Sequence, residues 1–170
     1  MGAWKLGDVA SHWVDQFLST KGEKILEFGC GNGTIERSKK YKVTAIEHDL
    51  LYIKDDFRCI HAPLIFIQDL SCFWYDINYF KELKFEEFDI IIIDGPPGDI
   101  GRKGILSEPW IFKLSNCILI DDTHRQEEND LVSKIEAILI NVERVDLIEN
   151  SKWGLRKTTI LNRSDNIDKV

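Results

Sequence analysis

The sequence predicts an α/β fold built on a mostly parallel sheet with helices on both faces, and three observations predict it. Short apolar runs alternate with stretches of helical periodicity. Ile90-Ile91-Ile92-Ile93 cannot alternate with polar residues, so both faces of its sheet must be covered. Five acids, Glu27, Glu47, Asp94, Asp121 and Asp122, close successive apolar runs. In a parallel sheet those ends share one rim, where ligands bind.

The elements follow in order. Val9, Ala10, Trp13, Val14, Phe17 and Leu18 recur at helical spacing between polar residues, which gives an amphipathic helix. Lys24 to Phe28 is a buried strand entering a glycine-rich turn, and a short helix follows around Ile35 to Lys40. Lys42 to Ile46 is a second strand, stopping at Glu47-His48-Asp49, and one third strand is expected between Cys59 and Gln68. Phe88 to Ile93 is the clearest strand, broken by Asp94-Gly95-Pro96-Pro97-Gly98. A short helix begins near Ser107 with Pro109 in its first turn, and Cys117 to Ile120 is a fifth strand. Leu131, Val132, Ile135, Ile138 and Leu139 mark another amphipathic helix. Val142 to Ile148 and Lys157 to Leu161 are the last strands. The core of the link between them, Glu149 to Gly154, is too short for a parallel crossover, so they run antiparallel. The polar tail from Arg163 is expected to fray.

The 170 residues suit one domain, residues 1–170, able to bury ~70% of its unfolded surface without a metal or disulfide for stability. A formal charge of −7 argues against broad binding of nucleic acid, which needs a field of Lys and Arg. No run approaches the ~18 apolar residues of a membrane span. The N-terminal MGAWKLGDVA lacks the pattern of a signal peptide, and Leu6 departs from the myristoylation pattern after Gly2. Cys30, Cys59, Cys72 and Cys117 form no CxxC pair, which points to a reduced, cytoplasmic compartment.

Glu27-Phe28-Gly29-Cys30-Gly31-Asn32-Gly33-Thr34 joins a strand to a helix. Glycines let backbone approach a ligand closely, and a helix start offers free amides. The dinucleotide pattern needs G-x-G-x-x-G, but Thr34 stands where its third glycine would fall. Glu27 beside the loop suits a ligand carrying positive charge and would repel a pyrophosphate. In these residues the chain resembles the class I S-adenosylmethionine-dependent methyltransferases. Their first motif, E-x-G-x-G-x-G, is matched by Glu27, Gly29, Gly31 and Gly33. Glu47 falls where that family places an acid on the cofactor ribose, and one carboxylate can accept from both hydroxyls. The resemblance implies a seven-stranded Rossmann-like sheet, S-adenosyl-L-methionine as cofactor, and cofactor contacts at Glu27, Gly29, Gly31, Asn32, Gly33, Glu47 and His48. The D-G-P-P segment at Asp94 to Pro97, with Arg102, Asp121-Asp122 and Arg125, narrows the likeness to a subgroup that includes plant glucuronoxylan O-methyltransferases. The chain is much shorter than those enzymes, so their polysaccharide is not carried over.

The expected reaction is methyl transfer to a small-molecule or sugar acceptor at a hydroxyl oxygen, with Asp94 and His124 as catalytic candidates. Catechol-type O-methyltransferases hold a divalent metal at positions matching Asp94 and Asp121, with Asp122 replacing an Asn. Mg²⁺ or Mn²⁺ on Asp94, Asp121 and Asp122 is therefore one expectation. The other has Asp122 capping the next helix and Asp121 orienting Arg125 or His124. His48 is expected to flank the adenosine, His61 to face the adenine or a neighbouring strand, and His12 to lie in solvent. Trp4, Trp13, Trp74 and Trp153 are read as packing, and Trp110 as close to the site. A nicotinamide-dependent oxidoreductase, an aminopropyl transferase and a non-catalytic cofactor-binding subunit are the competing readings.

Overall fold

The computed structural model describes residues 5–152 and 154–164. The chain runs α1 (Asp8–Lys21), β1 (Lys24–Phe28), α2 (Asn32–Ser38), β2 (Lys42–Glu47), β3 (Arg58–His61), β4 (Leu64–Ile67), β5 (Cys72–Tyr75), β6 (Ile90–Ile93), β7 (Cys117–Ile120), α3 (Gln126–Ile138), β8 (Val142–Ser151) and β9 (Gly154–Arg163). Seven strands form one sheet in the order β3-β2-β1-β6-β7-β9-β8. The five strands β3, β2, β1, β6 and β7 are parallel; β9 pairs antiparallel with β7, and β8 pairs antiparallel with β9. This is a Rossmann-like sheet. The chain moves outward from β1 to β3 and returns on the other side of β1 at β6. The switch point therefore lies between the ends of β1 and β6.

The isoleucine run shows why both faces are covered. Ile90 and Ile92 pack with Ile25, Val43, Leu119 and the α1 residues Ala10, Val14 and Leu18. Ile91 and Ile93 face the opposite way, among Phe28, Trp74, Phe80 and the α3 residues Leu131, Val132 and Ile135. Each such side chain contributes about 1.5–3 kcal/mol on burial. Asp89 fastens the lower end of this arrangement, accepting from the amides of Glu23 and Lys24 at 2.8 Å each.

Several elements differ from expectation. The segment read as one third strand holds two: β3 joins the main sheet, whereas β4 pairs with β5 in a separate hairpin. Ala62 and Pro63 separate the two and turn the chain off the sheet. β5 escapes a periodicity reading because Cys72-Phe73-Trp74-Tyr75 is apolar throughout, although Phe73 faces outward. α2 starts at Asn32, earlier than the apolar pattern indicates, because Gly31 and Thr34 close its first turn. The stretch around Ser107 forms two 3₁₀ turns, Lys103–Ser107 and Pro109–Lys113, rather than a regular helix. The last two strands pair as far as Ser151 and Gly154, so their connection is tighter than the sequence indicates. The readings of Trp4, Trp153, the first four residues and the tail beyond 164 lie outside the described residues. No described helix is long and apolar enough to cross a membrane.

Candidate functional site

Beyond β1 the chain turns at Gly29, whose φ of +91° is a conformation glycine adopts readily. A Cβ at Gly29 would stand 2.8 Å from the amide nitrogen of Gly95, so the exits of β1 and β6 lie in direct backbone approach. The loop amides are engaged within the protein. Gly29 donates to the Ile46 carbonyl at 2.9 Å, Cys30 to Glu47 Oε2 at 2.8 Å, and Gly31 to Thr34 Oγ1 at 3.0 Å. These three N–H groups are therefore unavailable to cradle a pyrophosphate, and the carboxylates beside them oppose an anion.

Glu27 is buried. Its Oε1 accepts from Thr34 Oγ1 at 3.1 Å and from the guanidinium of Arg37, which is also buried. Its Oε2 has no hydrogen-bond partner among the described residues. Arg37 already balances the charge, but an unpaired buried carboxylate oxygen is costly, and a hydrogen-bond donor of a ligand would relieve it. Arg37 was not singled out in the sequence, since a basic residue on a short helix reads as solvated. The signal was its place on the helix that follows the loop, close enough to return to Glu27.

Glu47 serves the protein before any ligand. Its Oε1 accepts from the amides of His48 at 2.7 Å and Asp49 at 2.8 Å, and its Oε2 from Cys30. A carboxylate offers about four acceptor positions, so the capacity left at Oε2 suits one hydroxyl better than the two that the sequence suggested. His48 Nδ1 lies 2.8 Å from Glu47 Oε1, and His61 Nε2 is 3.0 Å from the His48 carbonyl. Glu27, Gly29, Gly31, Glu47 and His48 line one cavity of about 220 Å³. Asn32, exposed at the start of α2, and Gly33, which is buried against Lys5 and Arg37, are not in that lining.

A second, broader cavity of about 540 Å³ includes Arg102, Asp122, His124, Arg125 and Arg156 in its walls. Asp94 and Pro97 line both cavities, which therefore meet at the end of β6. The three acids of the rim do come together: a carboxylate oxygen from each of Asp94, Asp121 and Asp122 lies within 4.8 Å of the others. Arginines already neutralise them. Arg156 and Thr158 bond the two oxygens of Asp121, the threonine at 2.7 Å. Arg102 donates to the carbonyls of Asp121 and Asp94 and to Asp122 Oδ2 at 3.0 Å. Arg125 reaches Asp122 Oδ2 at 3.2 Å. Three guanidinium groups among three carboxylates oppose a further divalent charge, so as arranged this donor set does not fit a metal. The alternative of helix capping also fails, because α3 begins after Arg125 without a side-chain cap.

The cluster separates the acids electrically. Burial, then the nearby Asp121 carboxylate, raises the Asp94 carboxyl well above its ordinary range. Asp121 moves the other way: burial opposes its ionisation, but Arg156 and Thr158 prevail and hold it low. Among the described residues Asp94 keeps one long ion pair, 3.4 Å to Arg102. His124 is exposed on the second cavity, with Nδ1 3.5 Å from the Lys157 amide. His12 is exposed on α1, as expected. Trp110 does not reach this rim. It lies near Ile138 and Leu139, and its Nε1 donates to Glu108 at 2.8 Å. Those neighbours belong with the entry of β7, so the side chain sits at the wrong end of the sheet.

No protein-family model matches the sequence, and no curated protein matches it. Solved structures do match in fold. An O-methyltransferase from Bacillus cereus in complex with SAH aligns with a TM-score of 0.64 at 16% identity, over 95% of this chain and 84% of that one. The O-methyltransferase TomG from Streptomyces achromogenes in complex with SAM gives 0.56 at 12% identity, over 95% and 82%. A candidate ribosomal RNA methyltransferase from Plasmodium falciparum gives 0.52 at 17% identity, over 91% and 96%. The fold is thus that of the class I S-adenosylmethionine-dependent methyltransferases.

Proposed function

We propose that the whole chain is one catalytic domain of a cytoplasmic methyltransferase that moves a methyl group from S-adenosylmethionine to a hydroxyl of a small-molecule or sugar acceptor. The observation that carries this reading is the meeting of the two cavities at Asp94 and Pro97. The narrow cavity suits the cofactor: Glu27 Oε2, without a partner among the described residues, accepts an N–H of the α-ammonium, and Glu47 takes a ribose hydroxyl. The broad cavity falls within the roughly 300–1,000 Å³ of small-molecule sites and receives the acceptor. A sulfonium methyl is already activated when bound. The chain's own task is to align acceptor and methyl and to exclude water. Asp94, at the junction and with its carboxyl raised, accepts the acceptor's proton. The exposed His124 lies on the acceptor side and contributes less. The arginines take the charge role that a metal on the acidic rim would otherwise have.

Glu27 beside the loop and the engaged amides disfavour the nicotinamide reading. Incubation with methyl-labelled S-adenosylmethionine and a panel of phenols, sugars and RNA tests the acceptor class. The expected result is label on a hydroxyl compound, unaffected by exhaustive chelation. Label on RNA alone, or activity abolished by chelation and restored by Mg²⁺, would overturn the reading.

Gly31 gives a clean test of the narrow cavity. Its backbone is extended, with φ of −160°, which any residue adopts, and it lines the cavity. Gly31→Val should melt like the parent protein and lose S-adenosylhomocysteine binding. Calorimetry beside a thermal scan checks both halves.

A further inference from the structure

Tyr75 closes β5 and is 1% exposed. Its ring packs beside Phe28, with centroids 5.9 Å apart, and beside Trp74 at 5.0 Å. Phenylalanine would serve that packing equally well, so the ring does not account for the hydroxyl. The hydroxyl oxygen is buried and has no hydrogen-bond partner among the described residues. A buried donor left unmade carries the full cost of its desolvation.

Its position is well defined. A Cβ built on Gly95 would stand 2.8 Å from the Tyr75 hydroxyl and 2.7 Å from Gly29 Cα. The hydroxyl therefore lies where the exits of β1 and β6 meet, under the narrow cavity that Tyr75 also lines. On its other side the His48 ring packs edge-on, with centroids 6.0 Å apart. Burial first, and the Glu47 carboxylate second, raise the phenol well above its ordinary value. The group thus remains O–H and can donate.

We propose that the Tyr75 hydroxyl is a ligand-binding donor that recognises the ribose of the nucleoside held in the narrow cavity. The inference rests on the cofactor reading above. A vicinal diol brings two hydroxyls side by side, each able to donate and accept. Glu47 Oε2, with one bond to Cys30, has capacity for one donated hydrogen. A diol oxygen accepting from Tyr75 completes the pair. The phenol then gains its missing partner, and the sugar is read by one acceptor and one donor.

The test is Tyr75→Phe, which removes one oxygen and keeps the ring. S-adenosylhomocysteine, adenosine, 2′-deoxyadenosine and 3′-deoxyadenosine are titrated into both proteins, with thermal scans alongside. Tyr75→Phe should melt at or above the parent temperature and bind S-adenosylhomocysteine roughly 2–10-fold more weakly, the worth of one ordinary hydrogen bond. For one of the two deoxyadenosines the substitution should cause no further loss, because its partner hydroxyl is already gone. A purely structural role would not produce that selectivity. Equal affinity in the two proteins, or the same loss for adenosine and both deoxy analogues, overturns the proposal. If the parent protein binds none of these nucleosides, the cofactor reading itself fails and the proposal falls with it.

Discussion

Asp94→Asn should lower methyl transfer by roughly 10²–10⁴-fold, the usual range for losing a general base. S-adenosylhomocysteine should bind within about twofold of the parent, because the asparagine keeps the shape and the backbone carbonyl that Arg102 holds. In the parent protein the rate should rise with pH through a midpoint above the ordinary carboxylate range, since the ionised form is the active one. Stability should move the opposite way. A carboxyl raised by folding contributes stability fully present below about pH 4 and lost as pH rises through its folded value. Asn removes that loss, so the variant should melt at or above the parent temperature at neutral pH. Asp121 has the reverse sign: its contribution is present above the unfolded value and fades as acid protonates it. An Asp94→Asn enzyme with unimpaired transfer would assign the base role elsewhere, with His124 next in line.

Arg102→Met should cost about 3–5 kcal/mol, as for breaking other buried ion pairs. Arg102 is 3% exposed and joins the ends of β6 and β7 through two carbonyls and two carboxylates. Methionine would fill the space and leave Asp94 and Asp122 without that charge. A loss of this size corresponds to a fall of roughly 6–20 °C in melting temperature for a chain of this length. Lysine should rescue it poorly, because a point charge cannot reproduce the planar fork. The deficit should shrink in acid, as protonation of the carboxylates reduces what the guanidinium supplies. Thermal scans across pH check this, and a variant that melts like the parent would remove the cluster's structural role.

Much of the sheet was legible because its strands are fully buried. Ile25-Leu26, Ile90 to Ile93 and Cys117 to Ile120 leave no polar face to confuse the period, and their bounds follow from glycine, proline and aspartate. The β4–β5 hairpin was not legible. Ile65, Phe66 and Phe73 are apolar yet exposed, so hydrophobicity there does not report burial. The acidic rim could be found because acids closing parallel strands must converge. Its partners could not, since Arg37 and Arg156 approach from a helix and an antiparallel strand whose register the sequence does not state. Those cations change the chemistry: they make Glu27 and Asp121 parts of ion pairs, whereas the half-buried Asp94 keeps only its long contact to Arg102 among the described residues.

The narrow cavity beside Gly29 and Glu47 is the proposed site of an S-adenosyl ligand. Calorimetric titration of the intact protein with S-adenosylhomocysteine, and in parallel with NAD, tests it most directly. Saturable one-to-one binding of S-adenosylhomocysteine, with no heat from NAD, is the expected result. Binding of NAD with none of S-adenosylhomocysteine would contradict it.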